Sequence, residues 1–272
     1  MAEERKLGVV EDTLFVPMAG RIYASEQWPQ VLYDEKALEL KPKIPASVLD
    51  GGRQTQYTYL ASASRSANVD RFIVDFLHRK PNGAVVQLGV GLETTFWRCD
   101  GARTQWYGVD LPHVIDYRRN LLGEAPRERL VAGSAFEDGW LAQVRAEHPE
   151  SPLLIVASGL FYYFEEGDVL GLVRMLQGQG DIELLFDTVN KSGMSMMRKK
   201  HMKTVGHEDA QMFFYVDSAS ELARKAGGSA EVLAEESFYK HIPKEGLKLA
   251  TRVSMGVSDL LGMVKMVHLR LS

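Results

Sequence analysis

The stretch AVVQLGVGLETTFWR, residues 84–98, decides how the rest of the chain is read. Its first half, AVVQLGV (84–90), is a short valine-rich apolar run, the pattern of a strand buried on both faces. Gly89 and Gly91 stand at its end. Glycine lets a chain turn tightly and lets a ligand lie against backbone N–H groups. Residues 93–98 can then open a helix. A second strand, TQWYGVD (104–110), ends in Asp110, nineteen residues beyond Gly91. An acid at that place can accept hydrogen bonds from both ribose hydroxyls of an adenosine cofactor. A tight turn with a capping aspartate would use the same letters. The position after a first strand, with an acid closing the second, favours a cofactor loop.

The same alternation continues outward. RERLVAG (127–133), PLLIVAS (152–158) and DIELLFDT (181–188) are three more strand-like runs. Helical patterns lie between them at 112–122, 137–147 and 165–177, the first opening with a proline in its first turn. Strand, helix, strand in repetition predicts a parallel sheet with right-handed crossovers. Upstream, a helix is predicted over 57–79, with Ile73, Phe76 and Leu77 on one face and Pro81-Asn82-Gly83 as its stop. The rest of residues 1–80 shows mixed helical patterns broken at Pro17, Pro29, Pro42 and Pro45. These 80 residues are expected to form an N-terminal helical cap on a catalytic core of 81–272. The alternation stops at Val189. Residues 190–228, rich in Met, Lys and His, are expected as a helical lid inserted in the core. Two β-like runs, 230–239 and 263–271, then add a hairpin-like pair. The prediction is an α/β, Rossmann-like fold: a seven-stranded mixed sheet with helices on both faces.

Composition excludes several classes of function. A chain of 272 residues can bury a core without disulfides or a structural metal. Thirty-two basic against 36 acidic residues give a charge of −4, so no general basic field attracts nucleic acid. The single cysteine, Cys99, rules out an intramolecular disulfide and a multi-cysteine zinc site. No H-E-x-x-H, G-x-S-x-G or G-x-x-x-x-G-K occurs. The longest apolar stretch, 152–164, falls short of the ~20 residues that span a bilayer. The N-terminus starts with charges, and its apolar run is too short for a signal peptide. The expectation is a soluble cytoplasmic protein, monomer or homodimer, with a small-molecule acceptor and no metal, membrane or nucleic-acid partner.

The loop itself discriminates between cofactors. A dinucleotide fingerprint wants a third glycine where Thr94 stands. Glu93 adds a negative charge, unfavourable beside a pyrophosphate and favourable beside a cation. S-adenosylmethionine, with its sulfonium and ammonium, suits the loop better than a nicotinamide dinucleotide, although an oxidoreductase on a similar sheet is the alternative.

Several segments together resemble one family. LGVGLETTFWR (88–98) is similar to the glycine motif L-G-x-G-L-D-T-x-[FY]-x-R of leucine carboxyl methyltransferases and tetracenomycin-type polyketide O-methyltransferases, with Glu93 in place of the aspartate. WYGVDLPHVIDYRRNLL (106–122) resembles W-Y-x-L-D-L-P-x-V-I-x-x-R of the polyketide branch. EDTLFVPMAGRIYASEQWPQVLYDEKA (11–37), ASRSANVD (63–70), RLVAGSAFEDGWL (129–141), GLFYYFEEGDV (159–169) and the stretch 203–222 fit as well. The resemblance implies a class I methyltransferase fold and an O-methyltransferase that uses S-adenosylmethionine and releases S-adenosylhomocysteine. Its acceptor would be a carboxylate or phenol of a small, polyketide-like or aromatic natural product.

The resemblance also implies roles. Arg65 would bind the cofactor's carboxylate, as a guanidinium fork can. Gly89, Val90 and Gly91 would cradle the methionine and ribose. Asp110 would take the ribose hydroxyls, with Leu111 beside the adenine. Ser134, Ala135 and Phe136 would lie against the adenine ring. The family commonly has a glutamate where Ser158 stands, which would face the cofactor's ammonium. Ser158 offers only a hydroxyl, and Glu93 can compensate in part; a non-catalytic cofactor-binding homologue is the other outcome of that departure. For the acceptor, Tyr162 and Tyr163 follow the fourth strand, as pocket wall or core. Met194, Arg198 and His201 lie in the expected lid, as substrate contacts or as ordinary helix residues. His201 and His207 are the candidate bases, or else surface histidines; no catalytic residue is otherwise assigned.

Overall fold

A computed structural model of the chain describes residues 2–44, 46–49, 55–101, 103–204 and 212–271; of these, the side chains of 2–13, 47–48 and 200–204 are not described. Four helices come first: α1 (Ala2–Gln27), α2 (Glu35–Leu40), α3 (Ala46–Leu49) and α4 (Gln56–Arg79). The alternating part follows as β1 (Ala84–Leu88), α5 (Thr95–Cys99), β2 (Trp106–Asp110), α6 (Pro112–Leu122), β3 (Glu128–Ala132), α7 (Gly139–Glu147), β4 (Leu153–Ala157), α8 (Glu166–Leu176) and β5 (Ile182–Val189). The chain closes with α9 (Lys191–Thr204), α10 (Ala219–Ala226), β6 (Ala230–Ser237), α11 (Leu249–Leu260) and β7 (Val264–Leu271).

The seven strands form one sheet in the order β3-β2-β1-β4-β5-β7-β6. β1 to β5 run parallel to one another, and β7 is antiparallel to both β5 and β6. This is the mixed sheet that the sequence pattern predicts. The central strands β1, β4 and β5 are buried at every residue because helices cover both faces. On one face Trp140 and Val144 of α7, Val169 and Val173 of α8, and Leu222 of α10 pack on Val86, Leu88 and Ile155. On the other, Phe72, Ile73 and Phe76 of α4, Phe96 of α5 and Met255 of α11 pack on Val85, Leu154 and Val156. The order reverses between β1 and β4, since the chain builds outward to β3 and returns to β4. Ligands of such sheets bind outside the carboxyl ends of the strands at that switch point.

Three local expectations need correction. α1 runs through Pro17 instead of breaking there. A proline inside a helix costs ~3 kcal/mol. Phe15, Met18 and Ile22 of the same helix are buried against Leu40 and Leu92, and each such side chain contributes about 1.5–3 kcal/mol, so packing outweighs the local cost. The strands β6 and β7 do pair, but α11 lies between them in the chain. Its glycine and β-branched residues hide its helical character. The expected lid at 190–228 divides. α9 follows β5, whereas Phe214 and Val216 are buried in the sheet core and α10 packs beside α8 and β6. No described helix is long and apolar enough to cross a membrane.

Candidate active site

A cavity of about 720 Å³ opens at the carboxyl ends of β1 and β4. The glycine loop after β1 forms its floor. Leu14 and Pro17 of α1 and Arg65 and Ser66 of α4 form one side, with Tyr163, Met197 and Phe213 among its other walls. β1 stops at Leu88 because Gly89 and Gly91 take φ values of +63° and +45°, which other residues rarely adopt. Space enforces the choice as well. A Cβ on Gly89 would stand 2.8 Å from Leu160 Cδ1, and one on Gly91 2.9 Å from Leu14 Cδ2.

Two charged groups hold this loop from beneath. Asp110, at the end of β2, accepts from the Gly91 N–H at 2.8 Å through Oδ2 and from the Leu111 N–H at 2.8 Å through Oδ1. Burial lifts its pKa above the ordinary aspartate value, against the pull of those two donors. Arg118, fully buried on α6, donates to the Gly91 and Glu93 carbonyls at 3.1 and 2.6 Å. Its other terminal nitrogen meets both oxygens of Glu128 at 2.8 and 2.9 Å.

Glu93 is less free than its position in the loop implies. It accepts from Arg21 at 3.1 Å and Arg98 at 3.1 Å, and from the Thr94 N–H and Ser66 Oγ. Burial would raise its pKa, but Arg21 and then Arg98 more than reverse this and set it at about 2. The same arginines bind Asp34, and Arg98 also grips Asp70 through Nε at 2.7 Å and Nη2 at 2.9 Å. Two arginines thus face three carboxylates in one buried group. Glu93 lines the cavity as part of that group and not as an unengaged charge.

Arg65 has a partner that no local sequence pattern singles out. Its Nε donates to Asp187 Oδ2 at 2.7 Å. Asp187, buried at 1% exposure near the end of β5, also accepts from the Tyr162 hydroxyl at 2.8 Å and the Gly159 N–H at 2.6 Å. Burial would lower the Arg65 pKa, and the Asp187 charge more than offsets that. Burial first, then the Asp187 charge, pushes the Tyr162 phenol far above its usual value.

Eight of the residues singled out in the sequence meet at the cavity wall: Arg65, Gly89, Val90, Gly91, Glu93, Ser158, Tyr162 and Tyr163. Asp110 and Leu111 lie beyond the glycine loop at the end of β2, Leu111 being 47% exposed. Ser134, Ala135 and Phe136 follow β3 beside them, since the Gly133 N–H donates to the Asp110 carbonyl at 2.9 Å. Ser134 Oγ accepts from the Phe136 N–H, and the Phe136 ring packs 4.2 Å from Phe164. Two of the expected substrate contacts, Met194 and Arg198, are not among the residues that line the cavity. Met194 is 2% exposed and packs with Tyr162, Val189 and Met212, so it supports the wall from behind. Arg198 donates from Nε to the Met212 carbonyl at 2.6 Å, which ties α9 to the following segment. Met197, Met212 and Phe213 line the cavity instead. The His201 side chain and all of His207 lie outside the described residues.

Sequence reasoning missed Asp187, Arg21, Asp34, Asp70, Arg98 and Arg118 as site residues. For all but Asp187 a signal existed. Arg98 and Arg118 are the closing arginines of the two motif patterns, Asp70 is the aspartate of ASRSANVD, and Arg21 and Asp34 lie within 11–37.

Comparison with known proteins follows the same outline. The family model described as leucine carboxyl methyltransferase matches residues 3–177. The tetracenomycin polyketide synthesis O-methyltransferase TcmP of Streptomyces glaucescens is 30% identical over 175 residues, which are 64% of this chain. The match spans 63% of that relative's length. Among solved structures, a DUF574 family protein of Streptomyces avermitilis superposes with a TM-score of 0.58 at 13% identity, over 93% of this chain and 97% of its own. The magnesium protoporphyrin IX methyltransferase of Synechocystis, solved with bound S-adenosylhomocysteine, gives 0.50 at 10% identity, over 93% and 98%. At such identities these two speak for the fold alone.

Proposed function

The chain belongs to the leucine carboxyl methyltransferase family, and from that premise we propose that it is an S-adenosylmethionine-dependent O-methyltransferase. Its acceptor, in this proposal, is a carboxylate or phenolic hydroxyl of a small, polyketide-like or aromatic natural product. The observation that carries the proposal is one arrangement: the glycine loop and the Arg65 guanidinium face a single cavity at the switch point of the sheet, with Asp110 at the neighbouring strand end. The glycine loop, where a Cβ would collide with Leu160 or Leu14, leaves bare backbone at the cavity for a cofactor to lie against.

S-adenosylmethionine supplies a methyl group activated by its sulfonium for in-line displacement by an oxygen nucleophile. The remaining work falls to the chain. Arg65, fixed by Asp187, takes the amino-acid carboxylate as a preoriented fork. The Gly89–Gly91 backbone holds the middle of the cofactor. Asp110 keeps acceptor capacity for the ribose hydroxyls, because a carboxylate has about four lone-pair sites and two are used by backbone donors. Leu111 and Ser134 to Phe136 flank the adenine. Tyr163, Met197, Met212 and Phe213 form an adaptable apolar wall suited to a flat acceptor. α1 and α4 line one side of the cavity and α9 another, which limits the water that reaches the displacement. The polyketide relative supports the acceptor class.

Calorimetric titration with S-adenosylhomocysteine tests the cofactor. Binding well tighter than millimolar is expected, and millimolar or absent binding overturns the proposal. Transfer of labelled methyl from S-adenosylmethionine to a panel of aromatic acids and phenols then reads the acceptor. Binding without turnover on any acceptor would favour the non-catalytic homologue that Ser158 raises.

A further inference from the structure

β1 carries an anomaly. Its five residues are all buried, and four are Ala, Val or Leu; the other is Gln87, at 3% exposure. Val86 and Leu88 point to one core, and Val85 to the other. Gln87 shares the Val85 side, pairs in register with Val156 of β4, and lines the cavity. Its Oε1 is buried and has no hydrogen-bond partner among the described residues. An amide oxygen so placed destabilises the free protein unless something else satisfies it. Folding gives no reason for a polar group here, since a leucine would fit the strand as its neighbours do. A rotation of the amide by half a turn would exchange its oxygen and nitrogen, so the cavity can be offered either an acceptor or donors.

The carboxylates around the cavity are engaged, and Ser158 offers only a hydroxyl. Glu93 is shared by two arginines, and Asp187 holds Arg65, Tyr162 and Gly159. An amino-acid group bound through its carboxylate at Arg65 carries an ammonium on the adjacent carbon and needs an acceptor there. We propose that Gln87 is a ligand-recognition residue whose side-chain amide accepts a hydrogen bond from the α-ammonium of the cofactor's amino-acid half. The inference rests on the S-adenosylmethionine proposal above. It makes the unpaired amide a stability defect that ligand binding repairs.

The test compares two ligands on the full-length protein. S-adenosylhomocysteine carries the amino-acid group, and 5′-methylthioadenosine lacks it. Gln87→Leu removes the amide while filling the same space, so it is expected to melt at the same temperature as the unsubstituted protein or higher. It should weaken S-adenosylhomocysteine roughly tenfold or more, the worth of a hydrogen bond to a charged group. Its affinity for 5′-methylthioadenosine should stay within about twofold, since the lost bond is absent from that ligand. Gln87→Glu keeps an acceptor and should bind S-adenosylhomocysteine more tightly than Gln87→Leu does. Unchanged affinity of Gln87→Leu for S-adenosylhomocysteine overturns the inference, and so does equal weakening of both ligands, which would mean a distorted site. If the unsubstituted protein binds neither ligand, the cofactor proposal fails and this one with it.

Discussion

The two ends of the glycine loop are built by different physics. Around Arg65 and Glu93 the chain uses buried ion pairs: Arg65 with Asp187, and Arg21 and Arg98 with three carboxylates. Around Asp110 it uses backbone N–H groups and partly exposed side chains. The consequence is visible in the two carboxylates that these surroundings hold, Glu93 and Asp110. Glu93 is drawn down to about 2, because arginine charge overcomes burial. Asp110 moves upward, because two neutral donors do not. One end is locked before any ligand arrives, whereas the other holds a carboxylate with spare lone pairs. Preorganisation by charge suits the amino-acid half of a cofactor, whose own charges must be oriented, and neutral donors suffice for a ribose.

The comparison breaks most severely at Asp187. Asp187→Ala removes the only carboxylate that pairs with Arg65 among the described residues and leaves a largely buried guanidinium uncompensated. Loss of one partner of a buried pair costs about 3–5 kcal/mol, so urea denaturation should show a fall of that size. S-adenosylhomocysteine affinity should fall as well, since Arg65 and the Gly159 turn lose their anchor. A variant of unchanged stability would show that Arg65 is held by something other than this ion pair.

The ribose end should break more gently and in a different observable. Asp110→Ala is expected to weaken S-adenosylhomocysteine by ~1–3 kcal/mol through lost ribose hydrogen bonds. Its effect on 5′-methylthioadenosine should be equal, because both ligands carry the ribose. An unaltered dissociation constant would remove Asp110 from the cofactor site.

Acid separates the two ends without any substitution. Asp110, with its raised pKa, takes up its proton first as pH falls, so affinity for both ligands should decline while the fold persists. Ionised Asp110 costs the folded state some stability, and its protonation relieves that cost. Glu93 and Glu183 act in the opposite sense. Glu183, held by Arg79 and His268 against its burial, also titrates at about 2. Both have folded-state values below the ordinary 4.5, so each stabilises the fold above pH 4.5 and loses that contribution as pH falls from there towards 2. Circular dichroism and ligand titration followed together should therefore show binding lost at a higher pH than structure. Coincident loss would mean that the two carboxylates are not in the distinct environments described.

The sequence conveyed the strands more fully than the charges. β1 to β5 were predictable within one or two residues, because each is a short apolar run ended by glycine or a polar residue. The motif segments were recognisable, but not their purpose. Arg21, Asp34, Asp70, Glu93 and Arg98 come from three separate segments and form one ion-pair group only when α1 and α4 lie over the glycine loop. Asp187 reads as one letter of a strand, ELLFDT, and nothing local distinguishes a buried carboxylate from an exposed one. Pro17 misled for the converse reason: local backbone preference is readable, but the packing that overrides it is not. Gln87 is one more letter of the AVVQL run, since an unpaired amide is a property of its surroundings.

The smallest expected effect sharpens the comparison from the adenine side. Leu111 is 47% exposed at the start of α6 and stands one residue past Asp110. Leu111→Ala therefore creates little cavity, and its stability should stay within ~0.5 kcal/mol of the unsubstituted protein. If the side chain covers the adenine, truncation removes a few CH₂-sized contacts at ~0.8 kcal/mol each when fully buried, so a several-fold loss of affinity is expected. S-adenosylhomocysteine and 5′-methylthioadenosine should lose it alike, because the adenine is common to both. That equality distinguishes Leu111 from Gln87, whose substitution should affect only the ligand with the amino-acid group. A Leu111→Ala variant that discriminates between the two ligands would mean that the cofactor lies across the loop in the opposite direction, with its amino-acid half towards β2.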